Sequence, residues 1–265
     1  MIAYDFEYDG LTLSSLGYTI CKFGSDKMQT VSNGSQINFN TVSSNYGARE
    51  DLLSAEYSDC LEATFEICKN QCSSDSMEIT IEELRFLMRW LNRKSFKKLK
   101  LISDIEKMNY YFEASFNINK IELDNKIIGL ELEMKTNRPF ALMENRIITI
   151  KNLTSNGNKE ISCESDEEGF IYPKVQITLN DSGTLTIYNA SEQRTTRIEN
   201  CLSGETITMD YPIITSSEES HDIQNDFNWK FFRLSNEYKN RINKLTISLA
   251  CEIKIIYTPI AKISV

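Results

Sequence analysis

Few residues in this chain have the types and spacing that chemistry requires. Cys68 and Cys72 are the only closely spaced cysteine pair. A zinc site would need a second pair or nearby histidines. The sole histidine, His221, lies far away in the acidic, serine-rich stretch Ser216 to Asp222. No cysteine or serine stands recognisably as its nucleophile, so His221 reads as a surface histidine and hydrolase chemistry finds no support. Glu164, Asp166, Glu167 and Glu168 cluster before Gly169. They could offer oxygens to calcium, but they lack the alternating order of an EF-hand loop and read as a solvated loop. No glycine-rich loop is placed to cradle a phosphate. The expectation is a protein that is not an enzyme, with no metal and no cofactor.

Two further groups could make contacts. Arg85, Arg89, Arg93, Lys94, Lys97, Lys98 and Lys100 form a basic run. It reads as a solvated helix face with its trailing loop, or as a surface for an acidic neighbouring subunit. Trp229, Phe231 and Phe232 lie close together. They read as a core strand, or, if Trp229 is exposed, as a platform for a sugar ring or a partner. Asn33-Gly34-Ser35, Asn152-Leu153-Thr154, Asn180-Asp181-Ser182 and Asn189-Ala190-Ser191 match glycosylation acceptors. They carry no weight without an export signal.

The elements that must position these groups are mainly strands. Phe112, Ala114, Phe116 and Ile118 alternate with polar residues, as do Ile128, Leu130, Leu132 and Met134, with a turn at Leu123-Asp124-Asn125-Lys126. That period of two predicts an antiparallel pair with one buried face. Ile2 to Tyr8 predicts a short strand closed by Asp9-Gly10, and Tyr57 to Lys69 predicts another. Ser32 to Ser35 predicts a turn, after which Ile37, Phe39 and Thr41 alternate. Ser43 to Asp51, with Tyr46-Gly47 in its middle, predicts an exposed loop or hairpin tip. One helix is expected near 80–93, opened by a capping box of Thr80 and Glu83. Its apolar face is Ile81, Leu84, Leu87, Met88 and Leu91.

Prolines begin only at Pro139, which predicts a boundary dividing the chain into 1–140 and 141–265. In the second part, strands are expected over 146–151, 174–179, 184–189, 206–210, 244–249 and 252–257, and a helix over 234–241. Several short strands between turns suggest a sandwich.

The 265 residues suffice for two ordinary domains, and 41% hydrophobic with 25% charged residues is ordinary globular composition. A net charge of -9 argues against gripping nucleic acid, while an acidic surface would let DNA pass. No segment approaches the roughly 18 consecutive apolar residues of a membrane span. The opening Met1-Ile2-Ala3-Tyr4-Asp5-Phe6-Glu7-Tyr8, with its early acids, is unlike a secretory leader. Synthesis in a cytoplasm and seven reduced thiols are therefore expected.

The order of these patches resembles the distal tail protein family of long-tailed bacteriophages. The resemblance is carried by Phe6-Glu7-Tyr8-Asp9-Gly10-Leu11, by Arg89-Trp90-Leu91 leading to Phe96, Leu99 and Leu101, by Tyr110-Tyr111-Phe112-Glu113-Ala114, and by Pro139-Phe140. It continues through Tyr172-Pro173-Lys174-Val175-Gln176-Ile177, Thr184 to Asn189, Gly204 to Asp210 and Lys254 to Pro259. It implies a mainly β protein in which an N-terminal β-sandwich-like domain with one helix forms a hexameric ring. A galectin-like, jelly-roll C-terminal sandwich would then lie on the ring's outside. It further implies a place at the virion tail tip of a phage or prophage. There the ring would join the tail tube to tail-tip, baseplate or receptor-binding proteins, with a channel through which DNA passes and no membrane insertion. Arg89 and Arg93 facing Glu131 and Glu133 of a neighbouring copy are one expected ring contact. The alternative is a carbohydrate-binding module for host glycans, centred on Trp229.

Overall fold

The computed structural model describes residues 3–23, 37–44, 49–57, 60–70, 76–103 and 109–263. The expected turn at Ser32 to Ser35, the Tyr46-Gly47 tip and Cys72 lie outside the described residues. The chain forms two compact units, Met1–Met143 together with Ala261–Val265, and Glu144–Ile260.

The first unit contains β1 (Asp5–Tyr8), β2 (Leu11–Thr12), β3 (Tyr18–Cys21), β4 (Ile37–Ser44), β5 (Arg49–Tyr57) and β6 (Glu62–Lys69). Helix α1 (Ile81–Leu91) follows, then β7 (Lys97–Ile102), β8 (Tyr110–Leu123), β9 (Lys126–Thr136) and β10 (Ala141–Met143). An antiparallel sheet runs in the order β2-β1-β7-β8-β9-β6-β3, with β10 added to β8, whereas β4 and β5 pair only with each other. The β8–β9 hairpin turns at Asp124 and Asn125, whose φ values of 50 and 63° suit the two-residue turn that matches strand twist. Phe112, Ala114 and Phe116 then join Leu130, Leu132 and Met134 in the buried core.

Helix α1 opens as expected: the Thr80 side chain accepts the Glu83 N–H while Glu83 accepts the Thr80 N–H. Its buried face differs from the expected one. Leu84, Leu87, Trp90 and Leu91 point inward, while Ile81 is 73% exposed and Met88 is also exposed. At about 100° per residue, Trp90 turns the buried arc away from Ile81 and Met88. The indole N–H donates to the Tyr8 carbonyl at 3.0 Å. Its ring stacks on Phe6 at 5.9 Å and meets the edge of Tyr8 at 6.1 Å. The helix is thus pinned to β1 by one hydrogen bond and an aromatic cluster.

The single strand expected over 57–69 is two elements. β5 ends at Tyr57 in the separate hairpin, and β6 begins at Glu62 in the large sheet. Between them the Leu61 N–H is held by the buried Thr136 hydroxyl at 2.9 Å, which starts β6 in register with β9.

The second unit contains β11 (Arg146–Asn152), β12 (Gly157–Ser162), β13 (Gly169–Ile171), β14 (Lys174–Leu179), β15 (Gly183–Asn189), β16 (Arg194–Cys201), β17 (Thr206–Asp210) and β18 (Ile213–Ser216). A short helix α2 (Ile223–Asp226) precedes β19 (Leu234–Asn236), β20 (Ile242–Ile247) and β21 (Cys251–Tyr257). One sheet is ordered β11-β21-β14-β17-β18 and another β12-β20-β15-β16. Val175, Ile177, Ile207 and Ile253 of the first share one apolar core with Leu185, Ile187, Ile198 and Leu245 of the second, which is the arrangement of a sandwich. The helix expected over 234–241 is absent. Leu234–Asn236 pairs with β13, and Glu237 and Asn240 bridge a tight turn.

Candidate interaction surfaces

The alternation at Ile37, Phe39 and Thr41 produces a strand, but not a buried one. Register in the β4–β5 hairpin places Ile37 opposite Tyr57, Phe39 opposite Ala55 and, after a bulge, Thr41 opposite Leu52 and Ser43 opposite Glu50. One face of the ribbon therefore carries Ile37, Phe39, Leu52, Ala55 and Tyr57, with Thr41, Ser43 and Glu50 towards its far end. The other carries Asn38, Asn40, Val42, Ser54, Asp51 and Glu56. Phe39 is 63% exposed and Leu53, the extra residue of the bulge, is 69% exposed. The base is held by Tyr57, whose ring meets Phe140 at 5.9 Å. An amphipathic ribbon with its apolar face in water is unusual, since sheets normally bury such a face.

The basic run divides between two elements. Arg85 and Arg89 lie on the solvent side of α1 and make no ion pair among the described residues. Arg93 donates to the Trp90 carbonyl at 3.0 Å and approaches Asp9 at 3.6 Å. Lys98, on β7, lies over the Tyr111 ring at 4.2 Å. Glu131 and Glu133 both accept from the Asn119 amide, at 3.1 and 2.9 Å. Arg93 and Glu133 line one open cleft of about 240 Å³ with Lys94, Phe96 and Lys135. Arg89 and Glu131 are outside it.

The core strand expected around Trp229 is an irregular loop. Phe231 and Phe232 are buried, but Trp229 is 57% exposed and sits at φ 56°. A bulky residue seldom adopts that conformation. Trp229 belongs to a strip of rings that sequence reading missed. Tyr172 stacks on Tyr211 at 4.5 Å, Tyr211 meets Phe231 at 5.3 Å, and Phe227 meets both Phe231 and Trp229. At the far side Arg233 lies over Phe170 at 3.5 Å and is paired with Glu192 at 2.6 Å. These rings come from β13, the β17–β18 turn and the 227–232 loop, so no local spacing announces them.

A sequence model described as the phage tail protein N-terminal domain matches residues 1–138. A second, described as the phage tail C-terminal domain, matches residues 140–257. The chain belongs to the phage tail protein family. Among solved structures it is similar in fold to the crystal structure of the SPP1 Dit protein, described as a paradigm of the hub adsorption apparatus in Gram-positive infecting phages. The likeness has a TM-score of 0.66 and 9% identity, and covers 97% of this chain and 99% of that chain. The comparison with curated protein sequences gave no match.

The remaining chemistry-bearing residues of this tail protein lie in its second unit. His221 is buried, not on the surface: its side chain is 1% exposed. Nδ1 lies 2.6 Å from the fully buried Glu205 carboxylate. Nε2 faces the Glu199 carbonyl at 3.0 Å and Asp226 at 3.3 Å. Burial raises the Glu205 pKa, but hydrogen bonds from Ser216, the Leu202 N–H and His221 outweigh it and leave the carboxyl below its usual range. Burial pushes the Cys201 and Cys251 thiols up to about 11, so they stay protonated at neutral pH and are poor nucleophiles. In the acidic cluster Glu164 pairs with Arg146 at 2.5 Å and Asp166 with Arg241 at 3.6 Å. No group of metal-ligating side chains occurs among the described residues.

Proposed function

We propose that this tail protein is a distal tail protein whose first unit assembles as a six-membered ring, joining the tail tube to tail-tip or receptor-binding proteins and leaving a channel for DNA. The observation that carries this reading is the exposed amphipathic β4–β5 hairpin in a chain whose fold follows a hub protein along nearly its whole length. A subunit that stood alone would have no use for that apolar face, whereas a ring covers it at every junction. The second unit supports the expected galectin-like outer sandwich through its two sheets and shared core. The net charge of -9 would repel DNA from the walls of a channel.

Negative-stain microscopy of the purified chain across a concentration series tests this. Closed rings with a central hole are expected, growing in number with concentration. Monomers at the highest soluble concentration would overturn the reading.

The exposed Trp229, held at an unusual backbone angle with its ring against Phe227 and Phe231, favours a second reading for the second unit, binding of host-surface glycans. Trp229→Ala is expected to abolish binding on a glycan array while leaving the melting temperature unchanged. Equal binding by both proteins would remove this reading.

A further inference from the structure

The ring reading leaves open what covers the hairpin, and two observations on the first unit answer each other. The β4–β5 ribbon presents Ile37, Phe39 and Leu52 on one face, with Glu50 on that same face at its far end; Asp51, on the reverse side, is paired with Arg49 at 3.0 Å. Helix α1 presents the complement. Ile81, Phe86 and Met88 are exposed on its outer side, and Arg85 and Arg89 stand among them without an ion pair among the described residues. Ile81, Arg85 and Met88 fall at i, i+4 and i+7, which makes a continuous stripe. Lengths also agree. Strands of eight and nine residues extend roughly 26 to 30 Å, enough to span an eleven-residue helix of roughly 16 Å.

We propose that the apolar face of the β4–β5 hairpin of one copy docks on the exposed face of α1 of the next copy, with Glu50 meeting Arg85 and Arg89. This inference rests on the ring reading and specifies its junction. Such a contact is head-to-tail: each copy offers a hairpin on one side and a helix on the other, so the same contact repeats around a closed ring. A second copy fits better than an unrelated partner because one unit carries both halves of the match, apolar against apolar and acid against base. An interface of this kind places charge at the margin, where it steers the encounter and sets register.

Two charge-reversed proteins make the test. Glu50→Lys gives a hairpin basic on its docking face beside the native basic helix. Arg85→Glu with Arg89→Glu gives an acidic helix beside the native acidic hairpin. Each alone should lose its rings, because like charges then meet at every junction. Mixed in equal amounts they should regain rings, since alternating copies make every junction complementary, and native mass spectrometry should find the two chains one to one. Circular dichroism melts like the wild type's guard against misfolding. A benzoylphenylalanine photo-crosslinker at Phe39 gives a second reading and should label residues 81–89 of another chain.

If both variants form rings alone, or the mixture fails to restore them, or the label falls outside α1, the junction is wrong while the ring stands. A wild-type chain that stays monomeric overturns both.

Discussion

The sole histidine is the clearest case of a residue whose role the fold decides. His221 sits among serines and acids, a composition that reads as solvated surface, yet its ring lies in the second unit's interior between Glu205 and Asp226. Its partners stand on β16, the loop before β17 and α2, so no spacing along the chain reveals them. Because the Glu205 pKa is lowered in the folded state, its stabilising contribution is present above the unfolded carboxylate value. It is lost as pH falls through the folded value. The second unit is therefore expected to melt at progressively lower temperature below about pH 4.5, and Glu205→Gln should flatten that dependence. At neutral pH Glu205→Ala should cost about 1–3 kcal/mol, the usual consequence of leaving buried hydrogen-bond donors without their acceptor. Calorimetric melts across pH would check both, and an unchanged acid profile in Glu205→Gln would exclude the assignment.

At the scale of elements, legibility depended on whether a pattern named its own partner. β8 and β9 alternate strictly and turn on Asp124 and Asn125, so strand, turn and buried face could all be read from the chain. Helix α1 was equally plain in its cap, yet its inward face was not. Trp90 lies at the edge of the simple apolar stripe and is drawn inward by the Tyr8 carbonyl and the Phe6 ring. Trp90→Phe should therefore destabilise the first unit by about 1–3 kcal/mol, because a buried carbonyl loses its donor. A urea titration followed by circular dichroism measures this, and a midpoint equal to the wild type's would show the indole N–H to be dispensable. Strands β12 and β16 escaped notice for a different reason: GNKEIS and RTTRIENC hold few apolar residues, and ladder pairing with β20 and β15 makes them strands. The hairpin shows the limit of patterning. Alternation at Ile37 and Phe39 identifies an amphipathic strand, but it cannot say that the folded chain leaves the apolar face exposed.

For the molecule as a whole, the two-unit, mainly β plan was legible because turn residues and prolines punctuate it, while surfaces assembled from distant loops were not. The aromatic strip joins Phe170 and Tyr172 to Tyr211 and Trp229 across some sixty residues of sequence, and folding alone brings those rings together. The path of the chain carries a consequence for synthesis. Ala261 packs in the core of the first unit although nearly all the rest of that core precedes residue 144. The second unit, being continuous, can fold as soon as it leaves the ribosome. The first unit, begun earlier, stays one piece short until the segment that follows the second unit has emerged. Completion of the first unit is thereby tied to synthesis of the whole second unit, and a chain stopped before Ala261 would carry an unfinished first core.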